Sequence, residues 1–183
     1  MLIIALIIKL SDPKGPVLFR QQRLTRFNNV FAVFKFRSMK ADFSGMSPEE
    51  AFAKMGKPKL AQTYRNNGDF LAKDPRITPI GRFIRKSSLD ELPQLFNVIK
   101  GELSLVGPRA LVPEELNQYA KRHAILSVKS GITGLAQISG RRDIDFDERR
   151  RLDIYYVQNW SFWMDVSILI RTIRAVLGGI GAK

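Results

Sequence analysis

Ser88-Leu89-Asp90-Glu91-Leu92-Pro93-Gln94-Leu95-Phe96-Asn97-Val98-Ile99-Lys100-Gly101 carries apolar residues at 89, 92, 95, 96 and 99. That is the spacing of one helix face, and Gly101 stops the run. Ser88 and Glu91 have capping-box spacing, so Asp90 and Glu91 fall in the first turn of an amphipathic helix, where acids suit the helix dipole. Just outside the stretch lie Arg85 and, in a Gly107-Pro108 turn, Arg109. Adjacent acids flanked by arginines also suit attack on a diphosphate. A carboxylate approaching an anionic phosphorus needs that charge neutralised first, by a divalent ion and by cationic side chains. On these residues alone, the capping role and the chemical role both stand.

Outward from this stretch, Thr78-Pro79 opens a helix in which Ile80, Phe83 and Ile84 share a face and Arg82, Arg85 and Lys86 lie off it. Ser47-Pro48-Glu49-Glu50 is a capping box with proline at the first helical position, within a polar excursion around 44–72. From Gly15 to Met39 two strands are expected around Asn28-Asn29, with Val30, Ala32, Phe34 and Phe36 on one face. Lys35 and Arg37 then sit together on the exposed face. Downstream, a short extended segment runs from Gly101 to Arg109, a helix is expected from about Pro113 to His123, and Gly131, Gly134 and Gly140 mark turns and close backbone approaches. Asp145 to Glu148 caps a helix through Tyr155 and Tyr156, and Ser161 caps a final apolar helix ended by Gly178 and Gly179. The expected fold is a compact, mainly helical single domain of the mixed α/β (α+β) class with a short β-hairpin.

A chain of 183 residues with 45% apolar content buries a proper core, and a formal charge of +13 calls for anionic partners. The chain has no cysteine, which excludes disulfides, thiol nucleophiles and cysteine-ligated zinc. Met1 to Ile8 is apolar up to Lys9, but as a helix this run covers only about 12 Å of a roughly 30 Å hydrocarbon layer. It is too short to span, and it lacks the basic lead and cleavage site of a signal peptide.

Six spaced motifs occur in order along the chain: Lys35-Phe36-Arg37-Ser38-Met39, Asp74-Pro75-Arg76-Ile77-Thr78, Gly81-Arg82-Phe83-Ile84-Arg85, Ser88 to Val98, Gly101 to Arg109, and Gly131-Ile132-Thr133-Gly134-Leu135-Ala136-Gln137. Together they resemble the bacterial sugar transferase family, the monotopic polyprenyl-phosphate phosphoglycosyl transferases. The resemblance implies transfer of a sugar 1-phosphate from a UDP-sugar to polyprenyl (undecaprenyl) phosphate, with Asp90 as nucleophile, Glu91 as its partner and both at a Mg2+ site. It further places Arg85 and Arg109 at the phosphates, and matches Lys35, Gln137, Arg141, Asp153 and Asp165 to motif positions with a substrate or a structural role. It implies the cytoplasmic face of a bacterial inner membrane, an anionic membrane surface as partner, no nucleic acid, and room for a homodimer. Residues 1–10 correspond to the returning half of the family's membrane-dipping re-entrant hairpin, and 11–183 to the catalytic domain.

The chain departs from the family pattern at Ala110 and Ser130, where proline is usual, and looser backbone is expected there. The competing readings are a catalytically impaired membrane adaptor and a basic nucleic-acid-binding domain. No nucleic-acid motif supports the latter.

Overall fold

The structure is a computed structural model, and it describes residues 1–113, 122–140 and 144–178. Its elements are α1 (Leu2–Ser11), β1 (Leu18–Leu24), β2 (Val30–Phe36), α2 (Pro48–Lys54), α3 (Lys59–Asn66), α4 (Pro79–Lys86), α5 (Gln94–Ile99), β3 (Ser104–Val106), α6 (Arg122–Ile125), β4 (Gly131–Thr133), α7 (Leu135–Ser139), α8 (Phe146–Gln158) and α9 (Phe162–Leu177). This is the mixed, mainly helical α+β content expected. The strands form two small sheets, β1 with β2 and β3 parallel to β4. By packing the chain falls into two units, residues 1–19 with 36–90, and residues 20–35 with 91 onward.

In the first unit the helix starts follow the caps. Ser47 and Glu50 make both halves of a capping box at α2, and the Thr78 hydroxyl accepts the Gly81 N–H at 2.9 Å to start α4. α2 and α3 occupy the polar excursion and close on a buried arginine. The Arg76 guanidinium lies 4.4 Å from the Phe52 ring and 4.6 Å from the Tyr64 ring, and Asp74 Oδ2 accepts its Nη2 at 2.6 Å. A fully buried cation is tolerated because both its charge and its faces are satisfied.

Arg37 corrects the strand reading. It is 2% exposed rather than presented on a solvent face. Its Nη1 donates to Asp12 Oδ2 at 2.8 Å and its Nη2 to the Asp12 carbonyl at 2.6 Å, while the Ala41 N–H donates to the same Oδ2 at 2.7 Å. The Ala41 N–H first, and the Arg37 charge with it, hold the Asp12 carboxyl below the usual carboxylate range against the cost of burial. A Cβ at Gly15 would stand 2.5 Å from Arg37 Nη1, so the turn after α1 needs glycine there. Asp12 thus fastens α1 to the end of β2. Only Ile8 of α1 is buried.

Among the described residues of the second unit, three apolar patches are buried. Leu24, Leu111, Ile125 and Leu126 form one, Phe31, Val33 and Leu103 another, and Val106, Tyr156 and Ile168 the third. Phe31 and Val33 are the buried face of β2, whereas the periodic reading placed Val30 and Ala32 inward; Val30 is 61% exposed. The alternation is one residue out of phase at Phe31 and Val33, while Phe36 is buried as expected; nearly every position of Val30–Phe36 is apolar, and such a run fixes no face. Asp145 and Ser161 cap α8 and α9 as their spacing predicts. The helix expected from Pro113 to His123 lies largely outside the described residues; α6 begins at Arg122.

Ser130 also differs from expectation. Its N–H donates to Thr25 Oγ1 at 3.2 Å and its hydroxyl to the Leu24 carbonyl at 3.3 Å, so two bonds hold the backbone. The first needs an N–H that proline lacks. At Ala110, the carbonyl accepts Arg23 Nη1 at 3.0 Å, and the side chain packs against the Phe31 patch.

Candidate active site

Asp90 and Glu91 lie in a single 3-10 turn, Leu89–Glu91, and not in the first turn of a helix. α5 begins only at Gln94, with Pro93 at its N-cap. Ser88 has φ of 57°, a left-handed backbone rather than the extended one usual at an N-cap, and the helix expected from it starts only at Gln94. Pro93 explains the break. Proline disfavours helical backbone at Leu92 but suits a helix start, so the amphipathic run splits there.

In the second unit, Lys35 Nζ donates to Glu91 Oε1 at 2.7 Å. Their side chains are 28% and 39% exposed, so the pair orients Glu91 more than it stabilises the fold. Its register is set by Asn97, which is fully buried. Asn97 Nδ2 donates to the Ala32 carbonyl at 2.8 Å and to Glu102 Oε2 at 2.7 Å, while its Oδ1 accepts the Phe34 N–H at 3.1 Å. One side chain of α5 therefore mimics a strand on the edge of β2. Asn97 lies within the Ser88–Val98 motif, but an amide among apolar helix residues has no local signature that points to this contact.

The Gly107-Pro108-Arg109 turn is formed by touching backbones. A Cβ at Gly131 would sit 2.2 Å from the Gly107 nitrogen, and one at Gly134 2.1 Å from the Gly107 oxygen. Beyond β3, Arg109 makes a separate parallel bridge to Gly131. Asp153 of α8 is 1% exposed, and neither carboxylate oxygen reaches hydrogen-bond geometry. Burial pushes its pKa up to about 7; the Arg109 main chain, the Arg109 charge and the Arg149 charge act in the opposite direction. Gln137 Oε1 is likewise buried without a hydrogen-bond partner.

Because the folded state raises this carboxyl's pKa, it holds a proton the unfolded chain has already lost. Its contribution therefore turns against folding as pH rises from about 4 through 7. Asp153→Asn is expected to gain on wild type as pH rises, melting several degrees further above it at pH 8 than at pH 5. Equal differences at the two pH values, measured by calorimetry, would refute a buried carboxyl of raised pKa.

Asp165 is engaged elsewhere in this unit. Its Oδ1 accepts the Tyr156 hydroxyl at 2.8 Å and its Oδ2 the Trp160 indole N–H at 3.1 Å, tying the α8–α9 connection. In the first unit, Arg85 Nε donates to Ser38 Oγ at 2.7 Å. Arg141 lies outside the described residues. Among the described residues no cluster of three or more His, Asp or Glu could hold a metal unaided, and no helix is long and apolar enough to cross a membrane.

The family model for bacterial sugar transferases matches residues 1–179. This chain belongs to the bacterial sugar transferase family. It is 44% identical over 183 residues to the Undecaprenyl-phosphate galactose phosphotransferase of Salmonella typhimurium, covering 99% of this chain and 37% of that protein. It is also 44% identical over 183 residues to Galactosyl transferase CpsE of Streptococcus agalactiae, covering 98% of this chain and 39% of that one. Against Exopolysaccharide production protein ExoY of Rhizobium meliloti, identity is 41% over 176 residues, with 96% and 76% covered. The chain thus spans less than half the length of the first two relatives and about three quarters of the third.

Proposed function

We propose that this bacterial sugar transferase moves a sugar 1-phosphate from a UDP-sugar to polyprenyl phosphate through a covalent intermediate on Asp90, initiating the assembly of a surface or secreted glycan. The observation that carries the reading is the Leu89–Glu91 turn, which presents adjacent carboxylates with Glu91 held by Lys35 at 2.7 Å. The relatives' names, an undecaprenyl-phosphate galactose phosphotransferase among them, support the substrate class.

An Asp90 oxygen attacks the phosphorus that bears the sugar, the phosphoanhydride bond breaks, and UMP leaves with the bonding pair. A phosphate oxygen of the polyprenyl phosphate then attacks that phosphorus. The aspartyl–phosphorus bond breaks, Asp90 is regenerated, and a polyprenyl diphosphate sugar is released. The family motif assigns Arg85 and Arg109 to the phosphate oxygens, and Lys35 orients Glu91. Asp90 and Glu91 fit the protein's share of a Mg2+ site, since this ion is commonly held by one or two carboxylates plus substrate phosphates. When bound, it neutralises diphosphate charge.

Radiolabelled UDP-sugar mixed with enzyme and no acceptor should leave label on the quenched protein, and added polyprenyl phosphate should chase it into lipid. Lipid product without any labelled protein under rapid quench would exclude the covalent route.

Arginine binds phosphate through a planar fork that lysine lacks. Arg109→Lys should lower kcat/KM about 10- to 100-fold although charge is kept, an effect of about 1.4 to 2.7 kcal/mol. Wild-type kinetics would reduce Arg109 to a general field.

Membrane attachment belongs to the same proposal. α9 is both core and surface helix: Ile168 is buried, while Phe162, Trp163, Ile173 and Leu177 are 59–82% exposed. Arg171 and Arg174 are exposed on the same helix. α1 separately exposes Leu2, Ile3, Leu6 and Leu10 at 60–87%. Apolar residues beside arginines suit a headgroup layer. Sedimentation with anionic liposomes at low salt should capture the protein, and high salt should release a fraction of it. Full solubility with those liposomes at low salt would refute this attachment.

A further inference from the structure

We propose that Ser38 is a positioning residue for Arg85, with its carbonyl fixing the start of α4 and its hydroxyl fixing the guanidinium near the end. The inference rests on Arg85 being a phosphate ligand, as in the function proposed above. All of the groups involved lie in the first unit.

Ser38 is 7% exposed, two residues beyond β2. Its carbonyl accepts the Thr78 N–H at 3.1 Å, and Thr78 is the residue that caps α4. A Cβ on Gly81 would stand 1.9 Å from that same oxygen, so the first turn of α4 lies directly on Ser38 and only glycine fits at 81. The bridge between Met39 and Ile77 holds the two segments in register. With the helix start fixed, Arg85 Nε reaches Ser38 Oγ at 2.7 Å.

A guanidinium is planar, so a bond at Nε sets the plane in which both terminal nitrogens lie. An arginine held this way has lost its rotamer freedom during folding and need not lose it on binding phosphate. Serine supplies an oxygen at the right reach. Alanine supplies none.

The test measures UDP binding to the full chain by calorimetry, in wild type, Ser38→Ala, Ser38→Thr, Arg85→Ala and the Ser38→Ala/Arg85→Ala double variant, with thermal melts on each. Ser38→Ala should weaken UDP about tenfold, Ser38→Thr should recover to within about threefold of wild type, and the double variant should bind no worse than Arg85→Ala alone. In parallel, the Arg85 Nε–H resonance should exchange slowly with solvent in wild type and rapidly in Ser38→Ala. Unchanged UDP affinity in Ser38→Ala, an equal loss in the Arg85→Ala background, or rapid Nε–H exchange in wild type would each overturn the inference. Ser38-dependent UDP binding without sugar-phosphate transfer would sink only the proposed reaction. Transfer with Ser38-independent binding would sink only the role of Ser38, and a wild type that neither binds UDP nor transfers would sink both.

Discussion

Asp90→Asn should lower sugar-phosphate transfer by at least about 10³-fold while leaving the fold intact. The rate effect follows from the role: an amide cannot form the acyl phosphate, so the covalent route is closed rather than slowed. The small effect on folding follows from the site. Asp90 is part-exposed in the Leu89–Glu91 turn, ahead of α5, so no helix dipole depends on it, and asparagine keeps the side chain's size and shape. The measurement is turnover together with a thermal melt. Most of the activity surviving in a folded variant would remove Asp90 from the nucleophile's place. Glu91→Gln is a milder lesion that keeps the nucleophile, strands the Lys35 ammonium and should raise the Mg2+ concentration needed for half-maximal rate.

Asp12→Ala should destabilise the protein by about 3 to 5 kcal/mol, the usual cost of leaving one member of a buried ion pair alone. Against a typical total of about 5 to 15 kcal/mol, that loss is large. The asymmetry between the partners sharpens the test. Arg37 is 2% exposed on its side chain and Asp12 17%; Arg37 Nε already lacks a hydrogen-bond partner. Removing Asp12 therefore strands a charge that water cannot reach. Arg37→Met leaves an acid that still accepts the Ala41 N–H and still meets solvent, so it should cost less. The double change Asp12→Ala/Arg37→Met should be closer to wild type than Asp12→Ala alone. Chemical denaturation of the three variants checks the order, and a double variant less stable than Asp12→Ala would show that the pair is not what holds α1.

The two effects differ in how visible they are in the sequence. Asp90 and Glu91 stand together, flanked by arginines and embedded in ordered motifs, so the candidate chemistry was legible before any coordinates. Arg37 was legible only as a charge on a strand, and its alternation placed it in water. What sends it inward is Asp12, twenty-five residues away and itself unremarked because a lone acid after a short helix carries no pattern.

The same division runs through the rest of the molecule. Sequence by itself determined the helix starts at Ser47, Thr78, Asp145 and Ser161, because a cap is a bond between residues three apart. It determined the α+β content, that Gly131 and Gly134 mark close backbone approaches, and the family, because ordered motifs are one-dimensional facts. Tertiary structure alone decided which face of β2 is buried, that Asn97 completes the edge of that strand, that Ser130 bonds to Thr25 and Leu24, and that Ser38 holds Arg85. It also decided that Asp153 is buried against its charge. Each of these depends on a partner 47 to 106 residues distant or on exclusion from water. Neither leaves a period or a spacing to read, because a long-range contact is fixed by the packing of whole elements rather than by the local preferences of the residues that make it.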